Sequence, residues 1–180
     1  MELRIEKVAK SKRKQEIREI YKSSFQKEEK MPFNLMLIMS YLWHTEFLAF
    51  YDRETLCGFV YMATIRRQTF VMFFAVDQSL RSKGYGSCIL EKIQSLHRNN
   101  KIIISIELCD KTAEDYEQRL RRKKFYLSNG YCETGYLMKL GGKEQEIIIK
   151  NGLFNKRKFI LFFMLYSNCT MIPKIWKDGG

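Results

Sequence analysis

Apolar and charged residues alternate at the start of the chain. Leu3, Ile5 and Val8 are interleaved with charge over 2–8, which predicts a half-buried edge strand. The period then lengthens. Ser11 is placed to cap a helix running to about Phe25, with Ile17, Ile20 and Tyr21 at helical spacing. Gln26 to Pro32 is a polar break, and a second helix is predicted from about Asn34 to His44. Thr45–Tyr51, Leu56–Ile65 and Thr69–Val76 are apolar runs rich in β-formers. They are joined by Asp52-Arg53-Glu54-Thr55 and Arg66-Arg67-Gln68, short enough for hairpin turns, so an antiparallel meander is expected.

A loop over 77–87 leads into a third helix, with Ile89, Leu90, Ile93 and Leu96 on one face and Asn99-Asn100 at its end. Lys101–Leu108 (K-I-I-I-S-I-E-L) is almost continuously apolar, as expected of a strand inside a sheet. A charged helix is predicted over Ala113–Ser128, closing on Asn129-Gly130. Tyr131–Leu140 and Gln145–Lys150 form a last predicted hairpin across Gly141-Gly142. The order β-α-α-β-β-β-α-β-α-β-β predicts an α+β fold. Residues 1–150 are expected to be one domain and 151–180 an extension, in which Asn155 caps a short helix that is apolar all round. Such a helix must pack on something; the core is the preferred surface and a homodimer contact its competitor.

Composition narrows the class. With 46% apolar and 14% aromatic residues in 180, a packed core is affordable. The net charge of +12 attracts polyanions, so nucleic acid, an anionic membrane and a phosphorylated cofactor are all candidates. Cys57, Cys88, Cys109, Cys132 and Cys169 form no C-x-x-C pair, which points to reduced thiols rather than disulfides or zinc. The start of the chain has no apolar signal region, and the run Phe159–Tyr166 is too short to span a bilayer. A cytoplasmic location and no membrane span are therefore expected. His44 and His97 have no metal-ligand or triad partner at a recognisable spacing, and no metal is implied.

The segment that carries chemistry is V-D-Q-S-L-R-S-K-G-Y-G-S, residues 76–87. Gly84 and Gly86 permit backbone angles closed to other residues, and the helix that follows adds free N–H groups and a positive dipole end. Such a turn can cradle an anion, with Arg81 and Lys83 adding charge. A plain glycine turn into a helix explains the two glycines equally well. A dinucleotide-binding G-x-G-x-x-G fails because Ile89 stands at the third glycine, and no P-loop is present.

The run resembles the [RQ]-x-x-G-x-G/A signature of the GNAT-type N-acetyltransferase superfamily, including the preceding F-F-A-V strand. A second segment, K-K-F-Y-L-S-N-G-Y over 123–131, is similar to that family's F/L-Y-x-x-x-G-F. The resemblance covers roughly 2–150. It implies a GNAT-like mixed, mostly antiparallel central sheet of about seven strands with helices on both faces. It also implies acetyl-CoA as co-substrate and a small-molecule or peptide amine as acceptor. The backbone of Phe74, Ala75 and Val76 would pair with the pantetheine. Arg81, Ser82, Lys83, Gly84, Tyr85, Gly86 and Ser87 would hold the pyrophosphate.

Tyr126 stands where the family often places a tyrosine near the thioester sulfur, and a phenol there can protonate the leaving thiolate. Its rival role is a packed helix aromatic. Glu107 stands where some relatives take a proton from the amine; its rival role is an ion-paired or solvated carboxylate. Relatives commonly carry Asn and Ala seven and four residues before the tyrosine. This chain carries Arg119 and Arg122, expected either to meet a cofactor or substrate anion or to pair locally, as Asp115–Arg119 and Glu117–Arg121 would. A ping-pong route through Cys109 lacks a histidine partner. Glu28 and Glu29, between the first two helices, are placed to attract a cationic amine. Two other classes stay open: a basic nucleic-acid binder, disfavoured because no reader motif is present, and a silent acyl-CoA sensor.

Overall fold

The computed structural model describes all residues but 1, 27–29, 43, 141, 143 and 180. The acceptor-loop candidates Glu28 and Glu29 and one residue of the expected Gly141-Gly142 turn therefore lie outside the described residues. In chain order the strands are β1 (Arg4–Lys7), β2 (Thr45–Asp52), β3 (Thr55–Ile65), β4 (Gln68–Val76), β5 (Lys101–Glu107), β6 (Cys132–Lys139), β7 (Glu144–Lys150) and β8 (Lys174–Lys177). The helices are α1 (Lys14–Ser24), α2 (Phe33–Met39), α3 (Tyr85–Leu96), α4 (Tyr116–Ser128) and α5 (Lys156–Ser167). Among the described residues the strands form one mostly antiparallel sheet in the order β1-β2-β3-β4-β5-β7-β6-β8. The expected α+β, GNAT-like sheet is what the structure shows, with an eighth strand contributed by the tail.

The chain divides into two compact units, one of residues 1–64 and 71–98, the other of 65–70 and 99–180. In the first, the alternation predicted for 2–8 shortens to β1, and Val8–Lys10 becomes a 3₁₀ turn. Ser11 does not cap α1, whose N-cap is Arg13. Its hydroxyl instead accepts from the Arg13 N–H (3.0 Å) and shares a hydrogen bond with the Tyr51 hydroxyl (3.0 Å), two partners that hold it in a buried position. The α2 helix is shorter than the apolar pattern predicts and ends at Met39. The core of this unit is aromatic. Tyr21 meets Phe73 edge-on at 5.2 Å and Phe47 meets Tyr61 at 5.4 Å. Each such pair adds roughly 0.5–1.5 kcal/mol beyond the apolar area it buries.

In the second unit β7 lies between β5 and β6, so the last hairpin folds back with its second strand innermost. Ile147, Ile148 and Ile149 are buried there opposite Ser105, Ile104 and Ile103. The tail is structured. Asn155 caps α5 through its side-chain oxygen, which accepts from the Lys158 N–H at 2.9 Å. Phe159, Phe162 and Phe163 are buried, with their rings set around Phe70 at 5.3, 6.2 and 5.4 Å. Strand β8 then pairs with β6, Ile175 opposite Met138.

Candidate active site

The glycine turn lies in the first unit. Asp77 starts it: its carboxylate accepts from the backbone N–H (2.9 Å) and hydroxyl (2.5 Å) of Ser79, fixing a 3₁₀ turn over Gln78–Leu80. Ser82 then takes φ 61° and Gly84 φ 85°, both left-handed. A Cβ at Gly84 would meet nothing within 4 Å, so the demand for glycine there is one of backbone angle, not of space. Helix α3 begins at once, and its first intrahelical bond runs from the Cys88 N–H to the Gly84 carbonyl at 3.2 Å. The N–H groups of Tyr85, Gly86 and Ser87 precede that bond and have no helical acceptor. Arg81, Ser82, Lys83 and Gly84 are exposed, and Tyr85, Gly86 and Ser87 are half-buried. The turn thus presents two cations and the free donors of a helix start at a surface exposed over 81–84 and half-buried over 85–87, the kind of group that attracts an anion.

Two contacts hold the turn against the sheet. The Tyr85 hydroxyl donates to the Asp52 carboxylate at 2.8 Å, which raises the phenol's pKa. The Asp77 N–H donates to the Cys57 carbonyl at 2.9 Å. Beside Cys57, Gly58 is the residue that sequence reasoning missed. A Cβ there would sit 2.3 Å from the Ala75 carbonyl oxygen and 3.1 Å from the Val76 Cα. Strand β3 therefore approaches the end of β4, the stretch Phe74–Val76, more closely than any side chain allows. The available signal was a lone glycine inside an apolar strand pattern.

Glu107 and Tyr126 belong to the second unit. Glu107 ends β5, opposite Gln145, and its carboxylate accepts from the Arg122 guanidinium. Its side chain is only 11% exposed against 37% for Arg122, so the pair shields the carboxylate. Arg119 points to other partners: it donates to Asp115 at 2.7 Å and to the Leu108 carbonyl at 3.0 Å. The two arginines thus meet acceptors of their own chain, the local alternative named for Arg119, while Arg122 finds an acid that helix spacing could not indicate.

Tyr126 is buried, with its ring edge-on to Tyr131 at 5.7 Å. Burial pushes its phenol up to about 12, against a smaller opposing pull from Arg122. Burial, reinforced by Glu146, also raises the Cys109 thiol, which disfavours the thiolate a covalent route needs. The five cysteines are all free. His97 Nε2 lies 2.8 Å from a Glu46 carboxylate oxygen. Among the described residues no cluster of three or more His, Cys, Asp or Glu is placed to hold a metal, and no helix is long and apolar enough to cross a membrane.

Solved structures share this fold. A GNAT-family protein from Bacteroides thetaiotaomicron is 19% identical with a TM-score of 0.71, over 93% of this chain and 99% of that one. An aminoglycoside 6'-N-acetyltransferase complexed with coenzyme A is 14% identical with a TM-score of 0.65, over 83% and 96%. The PaiA N-acetyltransferase of Thermoplasma acidophilum, in complex with coenzyme A, is 17% identical with a TM-score of 0.57, over 84% and 100%. A comparison with curated proteins gives no match. The family model for the acetyltransferase (GNAT) domain matches residues 43–133, just over half of the sequence, from β2 through the glycine turn to Tyr126 and beyond, and the chain belongs to that family.

Proposed function

We propose that this protein is an acetyl-CoA-dependent N-acetyltransferase acting on a primary amine by direct attack. The observation that carries the reading is the turn 81–87: exposed over 81–84, left-handed at Ser82 and Gly84, and running into a helix whose first N–H groups, at Tyr85, Gly86 and Ser87, have no helical acceptor. A coenzyme A diphosphate matches it in charge and in its need for backbone donors. Similar folds were solved with coenzyme A.

Acetyl-CoA supplies an acetyl group already activated as a thioester. The chain's own residues position and protonate. Main-chain groups of Phe74, Ala75 and Val76 hold the pantetheine, and N–H groups near Val76 stabilise the developing oxyanion. Arg81, Ser82, Lys83, Gly84, Tyr85, Gly86 and Ser87 hold the pyrophosphate. Tyr126 delivers a proton to the departing sulfur; its phenol holds that proton at neutral pH even at the ordinary value near 10, and burial raises it further. Glu107 receives the amine's proton, directly or through water, with Arg122 orienting its carboxylate. The acceptor is a small molecule, an amino acid or a peptide N-terminus, and no metal takes part.

A second reading has two observations in its favour. Glu107 is engaged by Arg122 and Tyr126 is buried, as in a protein that binds an acyl-CoA without turning it over. Calorimetric titration with acetyl-CoA, followed by thiol release over a panel of amines, separates the two. Amine-dependent release supports the transferase, whereas binding without release supports the silent binder. Salt-sensitive RNA or DNA binding with no coenzyme A binding would overturn both.

A further inference from the structure

The second unit contains a cleft of about 320 Å³ that the acetyl-transfer reading does not use. Its floor is apolar: Ile65, Ile103, Ile149 and Phe162 are buried, and Leu161 completes it. Its rim is cationic: Arg66, Arg67, Lys101 and Lys158 all line it, and none of the lining residues is acidic. Among the described residues none of these four cations takes part in an ion pair. An apolar slot with convergent charge of one sign is the usual form of a small-molecule site, and the volume is at the small end of that range.

The cleft is also held open in advance. Gln68 donates through Nε2 to the Lys158 carbonyl at 3.0 Å, tying the β3–β4 turn to the first turn of α5. Lys101 donates through Nζ to the Leu153 carbonyl at 2.7 Å, which fixes its ammonium and leaves two of its donors for a ligand. Groups already placed lose little freedom on binding, so their charge is available at low entropic cost.

We propose that this cleft binds a single-chain amphiphile with an anionic head, of the free medium-chain fatty acid class. Its alkyl chain lies on Phe162, Leu161 and the isoleucines, and its carboxylate meets Lys101, Lys158 and Arg67. The site stands on residues apart from the glycine turn, so it can exist whether or not the chain turns over acetyl-CoA.

The test is calorimetric titration of the full chain with hexanoate, octanoate and decanoate below their micelle concentrations, with decyltrimethylammonium as control. Affinity is expected to rise about tenfold per two-carbon step while the chain still fits, and the cationic control is expected not to bind. The variant R67E/K158E reverses two exposed cations and is expected to weaken decanoate about tenfold, with its thermal midpoint preserved. Leu161→Trp, which fills the floor, is expected to abolish binding. Equal binding of the ammonium control, or decanoate binding indifferent to both variants, would overturn the proposal. So would co-sedimentation with anionic lipid vesicles, or a dimer that Leu165→Asp dissociates, where no decanoate binding accompanies it.

Discussion

The guanidinium of Arg122 on α4 clasps the carboxylate of Glu107 at the end of β5, joining an acid and a base that stand fifteen residues apart. Glu107 is the less exposed partner, so removing the arginine strands a carboxylate that water reaches poorly. Arg122→Ala is expected to lower stability by about 1–2 kcal/mol, less than for a fully buried pair because Arg122 itself is partly exposed. A double-mutant cycle with Glu107→Gln, read by urea denaturation, should return a coupling of about 1 kcal/mol. Additive effects would show that the pair contributes nothing.

The same Glu107→Gln variant tests chemistry separately from stability. If Glu107 receives the amine's proton, turnover falls by about 10²–10⁴ while acetyl-CoA affinity holds. An unchanged rate would leave the residue a structural partner of Arg122.

Gly84 has open space around it but a left-handed φ of 85°. Gly84→Ala should therefore cost only about 1 kcal/mol of stability, yet shift the N–H groups of the turn. Coenzyme A affinity is expected to fall about tenfold, measured by calorimetry. Retention of full affinity would show that the turn does not hold the diphosphate.

Gly58 is the opposite case, limited by space rather than by angle. The Ala75 carbonyl stands 2.3 Å from where a Cβ would be, and that neighbour is backbone. Gly58→Ala must push β3 and the end of β4 apart, at a cost of about 2 kcal/mol or more in denaturant unfolding.

Tyr126 gives a pH signature. Its phenol ionises at about 12 in the folded chain and near 10 when unfolded, so the folded state keeps the proton longer. This contribution is complete below about pH 10 and is lost as pH rises towards 12. Burial raises Tyr21 and Tyr131 in the same direction. Unfolding midpoints followed from pH 8 to 11 should be level and then fall, and Tyr126→Phe should flatten that alkaline fall. An unaltered slope would mean that Tyr126 is not sealed from water.

What the sequence determined by itself is what depends on neighbours in the chain. The apolar run of β3, the isoleucine run of β5, the Asn155 cap of α5 and the strand–turn–helix over 76–87 are local, because backbone angles and capping bonds are settled within a few residues. Where a local group had a distant competitor, the reading failed: Ser11 is drawn to Tyr51, forty residues on, and leaves α1 uncapped. Only the tertiary structure decided which faces and edges meet. It put β7 beside β5, added β8 to β6, joined Glu107 to Arg122, buried Tyr126 and pressed Gly58 against Ala75. Alternation says which side of a strand is apolar, but not which partner covers it. That choice is made by burial and electrostatics summed over residues far apart in the chain.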